Sequence, residues 1–329
     1  MERREFLKAG TIAAGSAVTG GLLRNVDVAG SAEPLCDCQN APKLPRRAYG
    51  DTGERLSIIG FGGLVVSGVE QEHANRVVAE AVEKGVNYFD VAPSYGDAEV
   101  KLGPALEPYR KNVFLACKTT QRTREGAAAE LKESLRRLRT DHLDLYQLHA
   151  IADVQKDVEA AFGPGGAMEV FLEAKKQGQV RYLGFSAHSE VAALAAMERH
   201  DFDSILFPVN FATFYKGNFG PRVIEAAKSK GVARLALKAL ARQQWPKDDP
   251  LRQQYPKCWY QPLTDRREAK LALYFTLSQS VTAAIPPGDE SLFRLALDLA
   301  MGFRPISQKE KETLQTLAQS LTPVFEQPA

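Results

Sequence analysis

Asn87-Tyr88-Phe89-Asp90-Val91-Ala92-Pro93-Ser94-Tyr95-Gly96 reads as a buried strand running into a broken loop. Tyr88 and Phe89 suit a packed, pleated position. Pro93 and Gly96 stop the strand and force a turn. An acid stands where the strand ends, and a phenol follows on the loop. A carboxylate and a phenol held beyond a strand suit acid/base chemistry. Taken alone, the pair is better read as a capping aspartate and a packed tyrosine. The decision rests on what neighbouring strands place beside it.

Working outward, the chain alternates. Arg46 to Arg55 reads as a short hairpin turning at Gly50-Asp51-Thr52-Gly53, and Leu56 to Phe61 as an apolar strand ending in Gly60-Phe61-Gly62-Gly63. Glu72 to Lys84 is helical, with Ala74, Val77, Val78, Ala81 and Val82 on one face and Gly85 at its end. After the opening stretch come further strands at Val113–Lys118, Leu143–His149, Arg181–Ser186, Ser204–Asn210, Val232–Lys238 and Val281–Pro286. Helices separate them at Ala98–Leu106, Arg124–Arg139, Met168–Gly178, Glu190–Arg199, Arg222–Lys230 and Arg267–Leu277. A long Pro/Gln/aromatic loop, Ala239 to Asp265, precedes the last of these. Glu290–Met301 and Gln308–Leu321 close the chain. Continuous apolar strands between helices mean a parallel sheet covered by helices. Eight such units predict a (β/α)8 TIM barrel with an N-terminal β-hairpin and a C-terminal extra helix. A doubly wound open sheet is the rival. Its dinucleotide fingerprint is missing, because Leu64 and Val65 follow Gly60-Phe61-Gly62-Gly63 and no third glycine comes.

In such a barrel the strand ends and the loops after them form one chemical face. The second strand ends at Asp90, with Tyr95 on its loop; the third ends at Lys118; the fourth ends at His149. Three neighbouring strands thus aim an acid, a phenol, an ammonium and an imidazole at one place, which reverses the structural reading of the opening stretch. A free phenol has a pKa of about 10, and a lysine close by favours its anion. Asp90 is placed to pair with Lys118, and His149 to orient a substrate oxygen. Tyr95 then serves as proton donor to a carbonyl oxygen. With no metal-ligand set and no nucleophilic Ser or Cys evident, hydride is the natural partner on carbon.

Asp90, Tyr95, Lys118 and His149 resemble the tetrad of the aldo-keto reductases. Phe89-Asp90 with Ser94-Tyr95-Gly96 and Glu99, Val180-Arg181-Tyr182-Leu183-Gly184-Phe185-Ser186, and Ile285-Pro286 are similar to that family's text. The resemblance runs from about Arg46 to Leu321. It implies direct hydride transfer to an aldehyde or ketone from NADP(H), in preference to NAD(H), bound without a Rossmann fold. Cofactor positions carried over by resemblance are Gly62 and Gly63, Ser186, and the Pro286–Gly288 segment. Lys238 and Arg242 are candidates to reach phosphates. Several positions depart from the family: Ala187 replaces an asparagine, the sixth strand lacks a glutamine, and Leu237-Lys238-Ala239-Leu240 ends the seventh. Pro287-Gly288-Asp289-Glu290 brings no basic residue for a 2′-phosphate. These departures motivate an alternative: a cofactor-binding barrel acting as a sensor or interaction protein with little turnover. A third idea is an aldolase or isomerase using Lys118 as a Schiff-base amine. A C-terminal iron–sulfur cluster, found in some similar proteins, is rejected because no cysteine follows Cys258.

The bulk properties agree with a small-molecule enzyme. The chain has 329 residues and a net charge of +2, so it implies no nucleic-acid partner. The four cysteines are neither a disulfide framework nor a paired zinc motif. Cys117 reads as a buried filler. Trp245, Tyr255, Trp259 and Tyr260 in the long loop are candidate pocket walls. Arg3-Arg4-Glu5-Phe6-Leu7-Lys8, the mild apolar run Ala9–Leu23 and Ala29-Gly30-Ser31-Ala32 resemble a bacterial Tat export signal. Residues 1–32 are therefore read as a signal segment, 33–45 as a linker, and 46–329 as the barrel. The expectation is export by the Tat machinery to the periplasm, with no stable membrane span after processing.

Overall fold

The computed structural model describes residues 43–327. The export-signal segment, most of the linker, Cys36 and Cys38 lie outside the described residues. A hairpin opens the described chain: β1 (Arg46–Ala48) pairs antiparallel with β2 (Arg55–Ser57). Its turn needs positive φ at Gly50 and Gly53. Then follow β3 (Phe61–Gly62), α1 (Gln71–Glu83), β4 (Tyr88–Asp90), α2 (Ala98–Leu106), β5 (Phe114–Thr119), α3 (Arg124–Arg137) and β6 (Leu143–Ile151). A short α4 (Ala160–Phe162) leads to α5 (Ala167–Lys176), β7 (Val180–Ala187), α6 (Glu190–Arg199) and β8 (Ser204–Pro208). Next come α7 (Phe211–Tyr215), α8 (Pro221–Ser229), β9 (Ala233–Leu237), β10 (Ala241–Gln243), β11 (Gln261–Pro262) and α9 (Arg266–Ser278). The chain ends with β12 (Ala283–Ile285), α10 (Glu290–Met301) and α11 (Gln308–Gln319).

β3 to β9 and β12 form one parallel sheet of eight strands, with β12 beside β9. The sheet curls until its edges meet. Gly60 N donates to Ala284 O and Ala284 N donates to Ile58 O, each at 2.9 Å. This is the (β/α)8 barrel.

Side-chain alternation sorts every strand into two faces. Phe89, Leu115, Cys117, Leu148, Phe185 and Phe207 face outward and pack under the helices. Tyr88, Phe114, Ala116, Leu145, Leu206, Leu235 and Ala283 fill the interior. The hairpin plugs the lower end: the Tyr49 ring lies 5.0 Å from Phe114 and 5.5 Å from Tyr182. Continuing each strand upward by two residues puts Asp90, Lys118, Gln147 and Ser186 on the inward face at the upper end. Alternation along four strands therefore builds the site.

Two sequence expectations change. Leu56 to Phe61 is not one strand: Ser57 ends the hairpin and Phe61 starts the barrel. Ser57 N donates to Asn87 Oδ1 at 2.7 Å and Ser57 Oγ to Ile59 O at 2.7 Å, bending the chain between them. The loop after β9 is not structureless either, since β10 pairs with β11 and Pro250–Gln254 forms a helical turn. The helix α7 had no periodic signal because it is five residues long; its start is made by Asn210, whose Oδ1 accepts from Ala212 N and Thr213 N.

Candidate active site

Asp90 is the hub. It is 2% exposed and accepts from three side chains. Lys118 Nζ donates to Oδ1, Gln147 Nε2 to Oδ2 at 2.9 Å, and Tyr88 Oη to Oδ2 at 3.3 Å. Lys118 is fully buried and also donates to Val91 O at 3.3 Å. Burial disfavours its ammonium. The Asp90 carboxylate, then Tyr95, outweigh burial and raise its pKa to about 12. A lysine so protonated has no free lone pair, which disfavours it as a Schiff-base nucleophile.

Tyr95 lies over this pair. Lys118 Nζ is 5.0 Å from its ring centroid, and its ring meets the His149 ring edge-on at 5.6 Å. From sequence alone, Lys118 is expected to favour the phenolate. The structure places Tyr95 where burial raises the pKa first and Lys118 only partly offsets it, so the net direction is upward. Tyr95 therefore keeps its proton at neutral pH. A protonated phenol is the state a proton donor requires, and an ammonium beside it favours the phenolate form.

His149 is held neutral. Burial, then the Lys118 charge, lowers its pKa to about 3. Its Nδ1 is 3.4 Å from Ser94 Oγ. Arg122 donates to its carbonyl at 2.6 Å, and Ala150, at φ 56°, donates from N to Ser186 Oγ at 2.7 Å. His188, beyond β7, is likewise lowered to about 4 by burial, and its ring lies tilted against Phe325 with centroids 5.2 Å apart.

Asp90 and Tyr95 open into a cavity of about 110 Å3 at the upper ends of the strands. Its walls include Asp90, Tyr95, Leu206, Leu237, Lys238, Trp259 and Tyr260, with Gly62, Pro286 and Gly288 along one side. Trp259 and Tyr260 thus serve as walls, whereas Trp245 turns away and donates from Nε1 to Cys258 O at 2.8 Å. Lys257, which no sequence pattern marked, lines the same cavity and clasps the loop after β3, donating to Leu64 O at 2.8 Å and Val65 O at 3.2 Å.

The candidate cofactor residues divide. Ser186 faces inward, its oxygen taken by Ala150 N and its proton left to donate. Lys238 lines the cavity. Arg242 does not: its guanidinium pairs with Glu268 on α9. Gly63 and Gly288 have packing reasons of their own. An added Cβ at Gly63 would sit 2.7 Å from Val91 Cγ2, and one at Gly288 would sit 2.3 Å from Leu64 Cβ. Lys238 and Lys257 give the cavity two ammonium groups of the kind that suit phosphates, and Ser186, outside its lining, keeps a hydroxyl proton for an amide contact. Leu206 and Leu237 supply apolar wall instead of further amide partners. Gln147 and Tyr88, the other two holders of Asp90, were missed in the sequence; their inward register, set by the two-residue period from Asp90 and His149, is the signal that points to them. Among the described residues no cluster of three or more His, Cys, Asp or Glu is arranged to hold a metal, and no helix is long and apolar enough to cross a membrane.

Comparison with known proteins identifies the family. Residues 58–317 match the profile of the aldo/keto reductase family. An uncharacterized oxidoreductase of Bacillus subtilis, YqkF, is 31% identical over 158 residues, covering 44% of this chain and 49% of the relative. L-galactose dehydrogenase of Arabidopsis thaliana is 28% identical over 159 residues, again covering 44% and 49%. The chain spans about half the length of the curated relatives it matches. The holo form of aldo-keto reductase AKR11C1 from Bacillus halodurans superposes with a TM-score of 0.66 at 23% identity, covering 85% of this chain and 98% of that one, which speaks to the fold. With the family match running from the closing edge of the barrel into α11, around four convergent polar side chains, this chain belongs to the aldo/keto reductase family.

Proposed function

We propose that the protein reduces an aldehyde or ketone to an alcohol with a nicotinamide cofactor, using Tyr95 as proton donor. The cluster of Asp90, Tyr95, Lys118 and His149, of which Asp90 and Tyr95 line the cavity, carries this reading. A bound nicotinamide cofactor would supply hydride to the carbonyl carbon. The chain's own groups do the rest. Neutral His149 positions the carbonyl oxygen, Tyr95 gives it a proton, and the ammonium of Lys118, fixed by Asp90, stabilises the phenolate left behind. Ser186, Lys238 and the Pro286–Gly288 segment are the proposed cofactor contacts. NADP(H) is proposed over NAD(H), on the family resemblance and the two lysines of the cavity. The opposing feature is the acidic start of α10, where Asp289 caps the helix and Glu290 follows.

Purified protein with NADPH or NADH and a panel of aldehydes is the test. Tyr95→Phe should still bind cofactor, seen by fluorescence, and should lose ~10²–10⁴-fold in turnover. Full activity in that variant, or no NADPH oxidation by the wild type, refutes the reading. Leu206 and Leu237 as cavity walls favour a second reading, a cofactor-binding barrel that acts as a sensor or interaction protein. It predicts tight binding with turnover no greater than that of Tyr95→Phe. Export through the Tat route to the periplasm is proposed from Arg3 and Arg4. Cell fractionation of a lysine-pair variant, Arg3→Lys with Arg4→Lys, tests it, and unchanged export of that variant refutes it.

A further inference from the structure

Lys238 is unlike the other lysine at this site. It follows β9 at the upper end of the barrel, in a left-handed backbone conformation with φ 69°. A non-glycine residue held there is uncommon and is worth explaining. The surroundings over-determine it: Asn210 Nδ2 donates to the Lys238 carbonyl at 3.1 Å and Ala241 N donates to it at 2.9 Å. Strand β9 and its turn thus aim the side chain into the cavity.

The amine there faces two rings and is unmatched. Nζ stands 4.8 Å from the Trp259 ring centroid and 4.9 Å from that of Tyr260. Among the described residues no carboxylate pairs with it and no acceptor takes a hydrogen bond from it. Both features contrast with Lys118, which is locked to Asp90. The ring faces favour an ammonium. Burial without an acid opposes it and lowers the pKa to about 8. A desolvated lysine without a counter-ion is a form in which proteins activate amines as nucleophiles. The cavity it enters is the one that Tyr95 lines, and its free volume of about 110 Å3 admits a carbonyl compound of a few carbons.

We propose that Lys238 is a second reactive group of this site, an amine that captures short-chain aldehydes as a Schiff base. The Nζ lone pair adds to the carbonyl carbon while the carbonyl oxygen takes the Tyr95 proton. The nitrogen, now positively charged, returns a proton to Tyr95 and leaves a neutral carbinolamine. Protonation of its hydroxyl by Tyr95 releases water and leaves a protonated imine on Lys238. Loss of that proton restores Tyr95, so amine and aldehyde become imine and water with no oxidant or reductant. The step needs no nicotinamide, and its outcome is independent of the hydride-transfer reading.

The full chain, without added cofactor, is incubated with propionaldehyde and cyanoborohydride, which reduces an imine to a stable secondary amine. Peptide mass mapping then gives a labelling rate for each lysine. Lys238 should label roughly 10- to 100-fold faster at neutral pH than exposed Lys111 or Lys228, because more of it is unprotonated. The comparison lies within one wild-type chain and does not depend on a variant folding. In Lys238→Arg, checked by its melting temperature, total labelling should fall to the slow surface rate. Labelling of Lys238 no faster than the surface lysines overturns the proposal, as does preferential labelling of Lys118.

Discussion

Lys118→Met tests whether the centre of the site is one coupled charge pair. Methionine keeps the apolar stem and deletes the cation. Asp90 is then left 2% exposed, with Gln147 and Tyr88 as its remaining donors. Two routes bound the cost. The rise of the Lys118 pKa from 10.5 to about 12 corresponds to roughly 2 kcal/mol of preference for the charged form in the fold. Stranding one member of a buried ion pair costs about 3–5 kcal/mol, because the other charge stays out of water. The second route applies to the single variant, since it includes the desolvated Asp90. At ~2–4 °C per kcal/mol, the midpoint should fall by about 6–20 °C. Asp90→Asn in the Lys118→Met background removes the stranded charge, so the double variant should be more stable than the sum of the singles implies, by about 1–3 kcal/mol. Urea unfolding of the wild type, both singles and the double at pH 7 measures this. The raised pKa also sets a pH window. Lys118 contributes its full share below pH 10.5 and loses it as pH rises through about 12. That alkaline loss should be present in the wild type and absent from Lys118→Met. A single variant within ~0.5 kcal/mol of the wild type, or strict additivity in the cycle, refutes the coupled-pair reasoning.

Other outcomes follow from the same geometry. His149 is buried neutral with a pKa of about 3, so its contribution is complete above pH 6.5 and is lost as pH falls through the range down to 3; acid unfolding monitored by circular dichroism should show a shallower fall for His149→Gln. Gly63→Ala places a methyl 2.7 Å from Val91 Cγ2 and should destabilise by about 1–3 kcal/mol in urea titration, a cost expected whether or not cofactor is present. Arg242→Ala removes only a partly exposed pair with Glu268, so it should cost at most ~1 kcal/mol and leave cofactor affinity within a few-fold of the wild type by fluorescence titration.

Most of the architecture was legible because strands and helices announce themselves by local pattern. Continuous apolar runs such as Leu143–His149, bounded by caps such as Gly85, require only neighbours in sequence. The same local logic placed Asp90, Lys118 and His149 at strand ends. It failed for α7, which is too short to show a period, and for the β10–β11 pair, whose strands are separated by a long loop. It also failed for Gln147, which reads as an ordinary strand residue until its amide is seen on Asp90, and for Lys257, which lies in mid-loop and acts through two backbone carbonyls of a distant turn.

The sequence by itself determined that four polar groups stand at the ends of three successive strands, because side-chain alternation and strand breaks are encoded locally. Only the tertiary structure decided their protonation and pairing. Burial, a property of the packed whole, overrides the Lys118 effect on Tyr95 and keeps the phenol protonated. Parallel pairing of β4, β5 and β6 brings Lys118 and Gln147 to Asp90, beside Tyr88 of its own strand. Folding of the loop after β9 sets Lys238 between two aromatic rings with no acid beside it, while the same loop's Arg242 turns to Glu268. Charge states depend on what surrounds a group in space, and no spacing along the chain specifies that.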